Sequence, residues 1–179
     1  MLSRRSMLAA SAAAFAGRSV WAEGLDTRYL GAVCAGVDDF QLCGLSGAGE
    51  ITFQIPLPTR GHAAAAHPTM TEAVAFARRP GLFGLVINCA TGSVLNHLQA
   101  PAGRHFYGHG AFTVDGSVLL TTENDVETGE GRIGLWAVEE GYRRIGEVAS
   151  GGVGPHEIIR LPKGGFAVAN GGIRTHPTT

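Results

Sequence analysis

The chain is poor in charge and in cysteine, and it lacks the short motifs that mark the common catalytic folds. Charged residues make up 16% of the sequence and the formal net charge is −1. That excludes the basic footprint that nucleic-acid binding requires. The three cysteines, Cys34, Cys43 and Cys89, include no C-x-x-C pair, which excludes a zinc ribbon, a dithiol redox motif and a c-type haem site. No G-x-S-x-G nucleophile elbow and no H-E-x-x-H zinc helix occur. Gly151-Gly-Val-Gly-Pro has no lysine and no helical pattern after it, so it reads as a turn rather than a phosphate loop. Arg143-Arg144 is too small a basic cluster for nucleic acid or anionic lipid. What is abundant is glycine, 27 residues scattered among short apolar runs, a composition that points to all-β structure with many turns.

The N-terminus has the layout of an export signal. Arg4-Arg5 is followed by an apolar run from Met7 to Ala16, broken only by Ser11, and Val20-Trp21-Ala22 suits signal peptidase. Ser3-Arg4-Arg5 with an apolar residue two positions on resembles the twin-arginine (Tat) signal, with an ordinary Sec signal as the alternative. The expectation is a signal peptide over residues 1–22 and a mature domain over residues 23–179, exported to the periplasm. The apolar run is too short to anchor the chain in a membrane, so no stable anchor is expected after cleavage.

Three histidines mark an internal repeat. His62 follows Gly61, His109 follows Gly108 and His156 follows Pro155, and successive members are 47 residues apart. His109 to Val114 reads as a strand, Asp115-Gly116 as a tight turn and Val118 to Thr122 as a second strand. A polar loop, Val126 to Gly131, precedes Ile133 to Val138. Glu139 to Tyr142 turns the chain into Arg144 to Val148. Four antiparallel strands in a unit of this length are the mark of a β-propeller blade. Arg28 to Ala35, Phe40 to Leu45 and Ile51 to Pro56 fit strands two to four of an earlier blade. A β-sandwich would explain the strands but not two equal spacings. The chain thus holds about three and a half blades, fewer than a closed ring needs, which leads to the expectation that it is part of a longer protein. Open half-rings expose unpaired edges and tend to associate.

In an oxidising compartment one disulfide is permitted. A hairpin loop at Val37 to Phe40 would set Cys34 opposite Cys43; two free, buried cysteines are the favoured alternative, with Cys89 in the core.

Several stretches together resemble one family, the exported bacterial proteins called domain of unknown function fifteen-thirteen. They are Arg104-His-Phe-Tyr-Gly-His-Gly-Ala-Phe, Leu120-Thr-Thr-Glu-Asn-Asp, Gly131-Arg-Ile-Gly-Leu-Trp, Gly151-Gly-Val-Gly-Pro-His-Glu and Ala169-Asn-Gly-Gly-Ile-Arg-Thr-His-Pro. The resemblance implies a seven-bladed propeller of which this chain is the N-terminal half. It also implies a setting beside imelysin-type and di-haem peroxidase-like proteins, hence periplasmic iron-uptake proteins as partners.

The candidate functional residues are His62, His105, His109, Glu123, Asp125, His156, Glu157, Asn170 and His176. In a propeller the first strand of each blade lines the channel, so His62, His109 and His156 would share one ring around the axis. Imidazole suits zinc, copper, nickel and iron, so His109 and His156, with Glu123, are the candidate ligands of a metal ion. The structural alternative is that each histidine locks one blade to the next. His105 and the Glu123–Asp125 stretch do not recur. A carboxylate pair at that spacing can hold a hard cation, or it can cap its own turn. Phe106-Tyr107 could line a pocket or join two blades. Two functions follow: a propeller scaffold that binds a ligand or protein, favoured because catalytic motifs are missing, and a metal-dependent hydrolase or oxidoreductase with its site in the channel.

Overall fold

The computed structural model describes residues 26–176; the signal-peptide reading lies outside them. These residues form thirteen strands in four antiparallel sheets. The first sheet holds β1 (Thr27–Gly36), β2 (Asp39–Ser46) and β3 (Ile51–Leu57). The second holds β4 (Gly61–Ala66), β5 (Glu72–Ala77), β6 (Phe83–Asn88) and β7 (Ser93–Gln99). The third runs β8 (Arg104–Phe112), β9 (Val118–Asp125), β10 (Gly131–Ala137) and β11 (Arg143–Ala149), and the fourth pairs β12 (Pro155–Arg160) with β13 (Phe166–Asn170). Every sheet is ordered as the chain runs, so each is a meander, the connectivity of a propeller blade.

The first strands lie innermost. β8 packs against β4 on one side and β12 on the other, while β5 touches β8 and β9 touches β12. β1 touches β4 in the same way, which gives β1 the second-strand position of its blade, as the repeat predicts. Between neighbouring blades lie three apolar clusters. One joins Leu42 and Ile55 to Leu85 and Ile87. The largest joins Val74 and Phe76 to Phe106, Leu119 and Trp136. The last joins Leu120 and Ile133 to Ile158. Phe76, at 1% exposure, is central to the largest; truncating it to alanine would cost about 3–5 kcal/mol.

The structure shifts two boundaries. Strand β8 starts at Arg104 rather than His109, because pairing resumes on the far side of a bulge, where Arg104 to Phe106 meet Asp125 to Glu123. For the same reason strand β9 runs on through Glu123, Asn124 and Asp125 instead of ending at Thr122. The cysteine hairpin also differs. Its turn falls at Val37-Asp38, with Asp38 at φ 59°, so Cys34 faces Phe40 and Cys43 faces Gly31. The two thiols are therefore not opposed. Both are free; Cys43 and Cys89 are buried, whereas Cys34 is exposed.

Candidate metal centre in the channel

Each of the three repeat histidines sits in an irregularity of its innermost strand, near the start of β4 and β12 and past the middle of β8. On β4 the ladder to β5 slips between Gly61 and Ala64, around His62. On β8 the ladder to β9 slips between Phe106 and Gly110, around His109. On β12 it slips between Pro155 and Glu157, at His156. A regular strand alternates its side chains between the two faces of its blade. A bulge inserts backbone without a partner and re-aims a side chain. Here three bulges bring three imidazoles together.

Their ligand nitrogens all lie within 4.8 Å of one another. Ring centroids are 4.8 Å apart for His62 and His109, 5.0 Å for His109 and His156 and 5.6 Å for His62 and His156. Metal–imidazole bonds of about 2.1 Å place tetrahedral ligand nitrogens about 3.4 Å apart, so modest ring rotations would close the set on one ion. The bulge on β8 is fastened by Thr122, whose hydroxyl donates to the His109 carbonyl at 3.1 Å and accepts from the His109 N–H at 3.3 Å. Gly108 adopts φ +100°, and a Cβ there would stand 2.6 Å from the His62 ring. A side chain at 108 would therefore push into the cluster as well as strain the backbone.

Glu157 places its carboxylate Oε2 3.2 Å from His109 Nδ1. That leaves His109 Nε2, which is buried and has no hydrogen-bond partner. Burial, opposed by Glu157 and reinforced by His156 and Arg79, lowers the His109 pKa below the ordinary imidazole value. Burial also lowers that of His62, followed by His109, His156, Arg78 and Arg79. Both rings are thus biased towards the neutral form in which imidazole binds metal.

The other sequence candidates lie elsewhere. Glu123 is fully buried, but its Oε1 accepts from Arg144 at 2.7 Å and from the Thr121 hydroxyl at 2.6 Å. Gly134 leaves the room for that carboxylate, since a Cβ there would collide with it. Among the described residues the three-histidine group does not include Glu123. Asp125 accepts from the backbone of Glu127 and Thr128 at 3.0 Å each and from Arg104 at 2.9 Å, so it caps its own turn. Arg104 and Arg144 both also bind Glu147, which joins the two carboxylates into one network of alternating charge rather than a cation site.

His105 is fully buried, stacks on Tyr107 with ring centroids 5.4 Å apart and reaches Thr175 Oγ1 at 2.9 Å. Burial, then His176, lowers its pKa to about 4. Tyr107 donates to the Ile173 carbonyl at 2.7 Å and Phe106 lies in the largest apolar cluster; both residues join blades. Asn170 exchanges hydrogen bonds with Ser150 and fastens the fourth sheet to the third.

The site also contains residues that the repeat reading passed over. Arg79 lies over the Tyr107 ring, 5.6 Å from its centroid. Arg60, Arg78 and His62 line one cleft of about 210 Å³. A signal for Arg78 was present, because it stands 47 residues before Asp125, and the two mark the end of the second strand in successive blades.

Residues 55–179 match the family model described as protein of unknown function (DUF1513). No curated protein matches the chain. Among solved structures, a hydrazine synthase chain of Kuenenia stuttgartiensis is similar at TM-score 0.61 and 9% identity, over 77% of this chain and 37% of that one. The WD40 β-propeller domain of Doa1 is similar at TM-score 0.57 and 10% identity, over 78% and 47%. A protein of unknown function from Bacteroides caccae is similar at TM-score 0.52 and 18% identity, over 79% and 50%. Identities this low speak for the fold alone, and the chain spans half or less of each of these chains.

Proposed function

We propose that this chain, which belongs to the DUF1513 family of proteins of unknown function, is an exported β-propeller that holds a divalent transition-metal ion on His62, His109 and His156 and binds a ligand at the ion's open side. The observation that carries the reading is the convergence of three imidazoles within 4.8 Å, one of them with its second nitrogen set against Glu157. A carboxylate behind a ligand histidine is the usual outer support of a metal site. Three protein ligands leave a coordination position free, and open sites serve ligand binding or catalysis, whereas closed four-ligand sites are structural. The signal-like N-terminus supports a periplasmic location. The donor set also suits iron(II), in keeping with the iron-uptake setting that the family resemblance implies.

A pure scaffold is the second reading. It is favoured by the position of each histidine at a blade junction, where a ring could serve packing alone. Metal content separates the two. The chain purified from its host is expected to carry close to one equivalent of zinc, iron, copper or nickel by elemental analysis, and His109→Ala to lose it. Wild-type protein that is free of these metals and refuses added cobalt(II) would leave the scaffold reading standing and end the metal one.

A further inference from the structure

Resting on the metal reading above, we infer that the ligand completing this centre is a small oxyanion, a carboxylate or a phosphate, held between the ion and the guanidinium groups of Arg78 and Arg79.

The charge balance around the histidines carries this step. Arg104, Arg132, Arg143 and Arg144 each pair with a carboxylate on the third blade. Among the described residues, Arg60, Arg78 and Arg79 have no carboxylate within ion-pair distance. These three lie at the histidine end of the second blade. Arg78 follows β5, whose backbone neighbour Arg60 accepts the Arg78 N–H at 2.8 Å. Arg78 shares the wall of one cleft with His62, and Arg79, next in the chain, lies over the Tyr107 ring of β8. Glu157 is the carboxylate within reach of the histidine group. A dication placed there would add to guanidiniums that have no carboxylate partner, at a partly buried site where like charges repel more strongly than in water. An anion bound to the ion offsets that repulsion and gives each guanidinium a partner.

The shape agrees. The cleft beside His62 has Arg60 and Arg78 on its wall, with Val33, Cys34 and Phe40. Its volume of about 210 Å³ is below the ~300 Å³ at which pockets begin to admit drug-sized molecules. It suits an anion of a few heavy atoms. The planar fork of arginine matches both carboxylate and phosphate oxygens, so the two sources share one recognition chemistry.

The test uses the full chain loaded with one equivalent of cobalt(II), whose visible bands report on coordination, titrated with inorganic phosphate and separately with malonate. The expected result is one anion per metal with a shift of the cobalt bands. In Arg78→Gln/Arg79→Gln the cobalt stoichiometry is expected to persist while anion affinity falls about tenfold or more. In the wild type, saturating anion is expected to tighten cobalt binding by the factor by which cobalt tightens anion binding. Tighter phosphate assigns the ligand to phosphoryl compounds and tighter malonate to carboxylates; either supports the inference. Anion binding that is the same in the double variant, or the same without metal, overturns it while leaving the metal reading intact. Failure of the wild type to take up cobalt overturns the metal reading instead, and this inference with it. Arg60→Gln provides a second variant on the cleft wall should the double variant fail to fold.

Discussion

His109 and Glu157 stand in contact, Nδ1 to Oε2 at 3.2 Å, and this leaves the Nε2 of the same imidazole buried without a partner. The carboxylate fixes the tautomer in which Nδ1 carries the proton and Nε2 offers its lone pair. Glu157→Gln removes the charge and lets the amide present either an N–H or a carbonyl to the ring. The expected outcome is a metal affinity about 10–100-fold weaker, the usual loss for an outer-shell carboxylate, with the stoichiometry unchanged. Calorimetric titration of the metal-free chain with zinc checks it. Unchanged affinity would mean that Glu157 merely covers the ring.

Gly108 tests whether the bulge positions the cluster. Gly108→Ala places a methyl group 2.6 Å from the His62 ring at a backbone φ of +100°. A strained positive φ costs about 1–3 kcal/mol, and the clash displaces His62, so both thermal stability and metal affinity are expected to fall. Gly103→Ala is the control. Its φ is +74°, but nothing lies within 4 Å of the added methyl, so it carries the backbone cost alone. Denaturation midpoints and zinc titrations of the pair separate strain from displacement. Equal zinc affinity in both variants would show that β8 does not hold His62 in place.

Much of this arrangement was legible in the sequence. Equal spacing of His62, His109 and His156 predicted equivalent places in successive blades, and their ligand nitrogens lie within 4.8 Å of one another. The bulges that aim the rings were not legible, because a bulge is a mismatch between two strands and a single strand does not display it. Strand β4, Gly-His-Ala-Ala-Ala-Ala, is another such case. Alanine favours helix by local propensity, yet here the run pairs with β5, and Gly61 and Ala64 line the narrow space beside β1. At Gly61 a Cβ would stand 2.7 Å from the Ala32 side chain of β1, and that demand for a small residue is tertiary. Glu123 shows the reverse. Its neighbourhood to Asp125 suggested a cation site, whereas its partner, Arg144, comes from a strand two places away in the sheet.

That pairing makes Glu123 a stability residue in a measurable way. Burial raises its carboxyl pKa, and the hydrogen bond and charge of Arg144 and the hydroxyl of Thr121 oppose the rise. Arg144 also lies over the Trp136 ring, 5.3 Å from its centroid, and Trp136 donates to Thr121. Arg144→Met strands a buried carboxylate, for which about 3–5 kcal/mol is the expected cost. Adding Glu123→Gln to that variant should recover part of the loss, because the amide carries no charge. Neither change should alter zinc stoichiometry. A Glu123→Gln protein that folds normally and has lost its metal would instead return Glu123 to the ligand set.

His105 gives the pH dependence. Its imidazole, buried against Tyr107 and close to His176, has its pKa lowered to about 4, against about 6.5 in an unfolded chain. The native state therefore resists protonation that the unfolded state accepts. Above about pH 6.5 both states are neutral at this residue and it exerts no pull. As pH falls from about 6.5 to about 4 the unfolded chain gains a proton that the native chain refuses, and stability declines by about 3 kcal/mol from this group. Below about pH 4 both states are charged and the slope vanishes. An NMR titration of the His105 ring should give a midpoint well under 5, and His105→Asn should flatten the stability profile across the same window. A midpoint near 6.5 would show that water or a neighbouring acceptor reaches the buried Nδ1 and stabilises the charged ring.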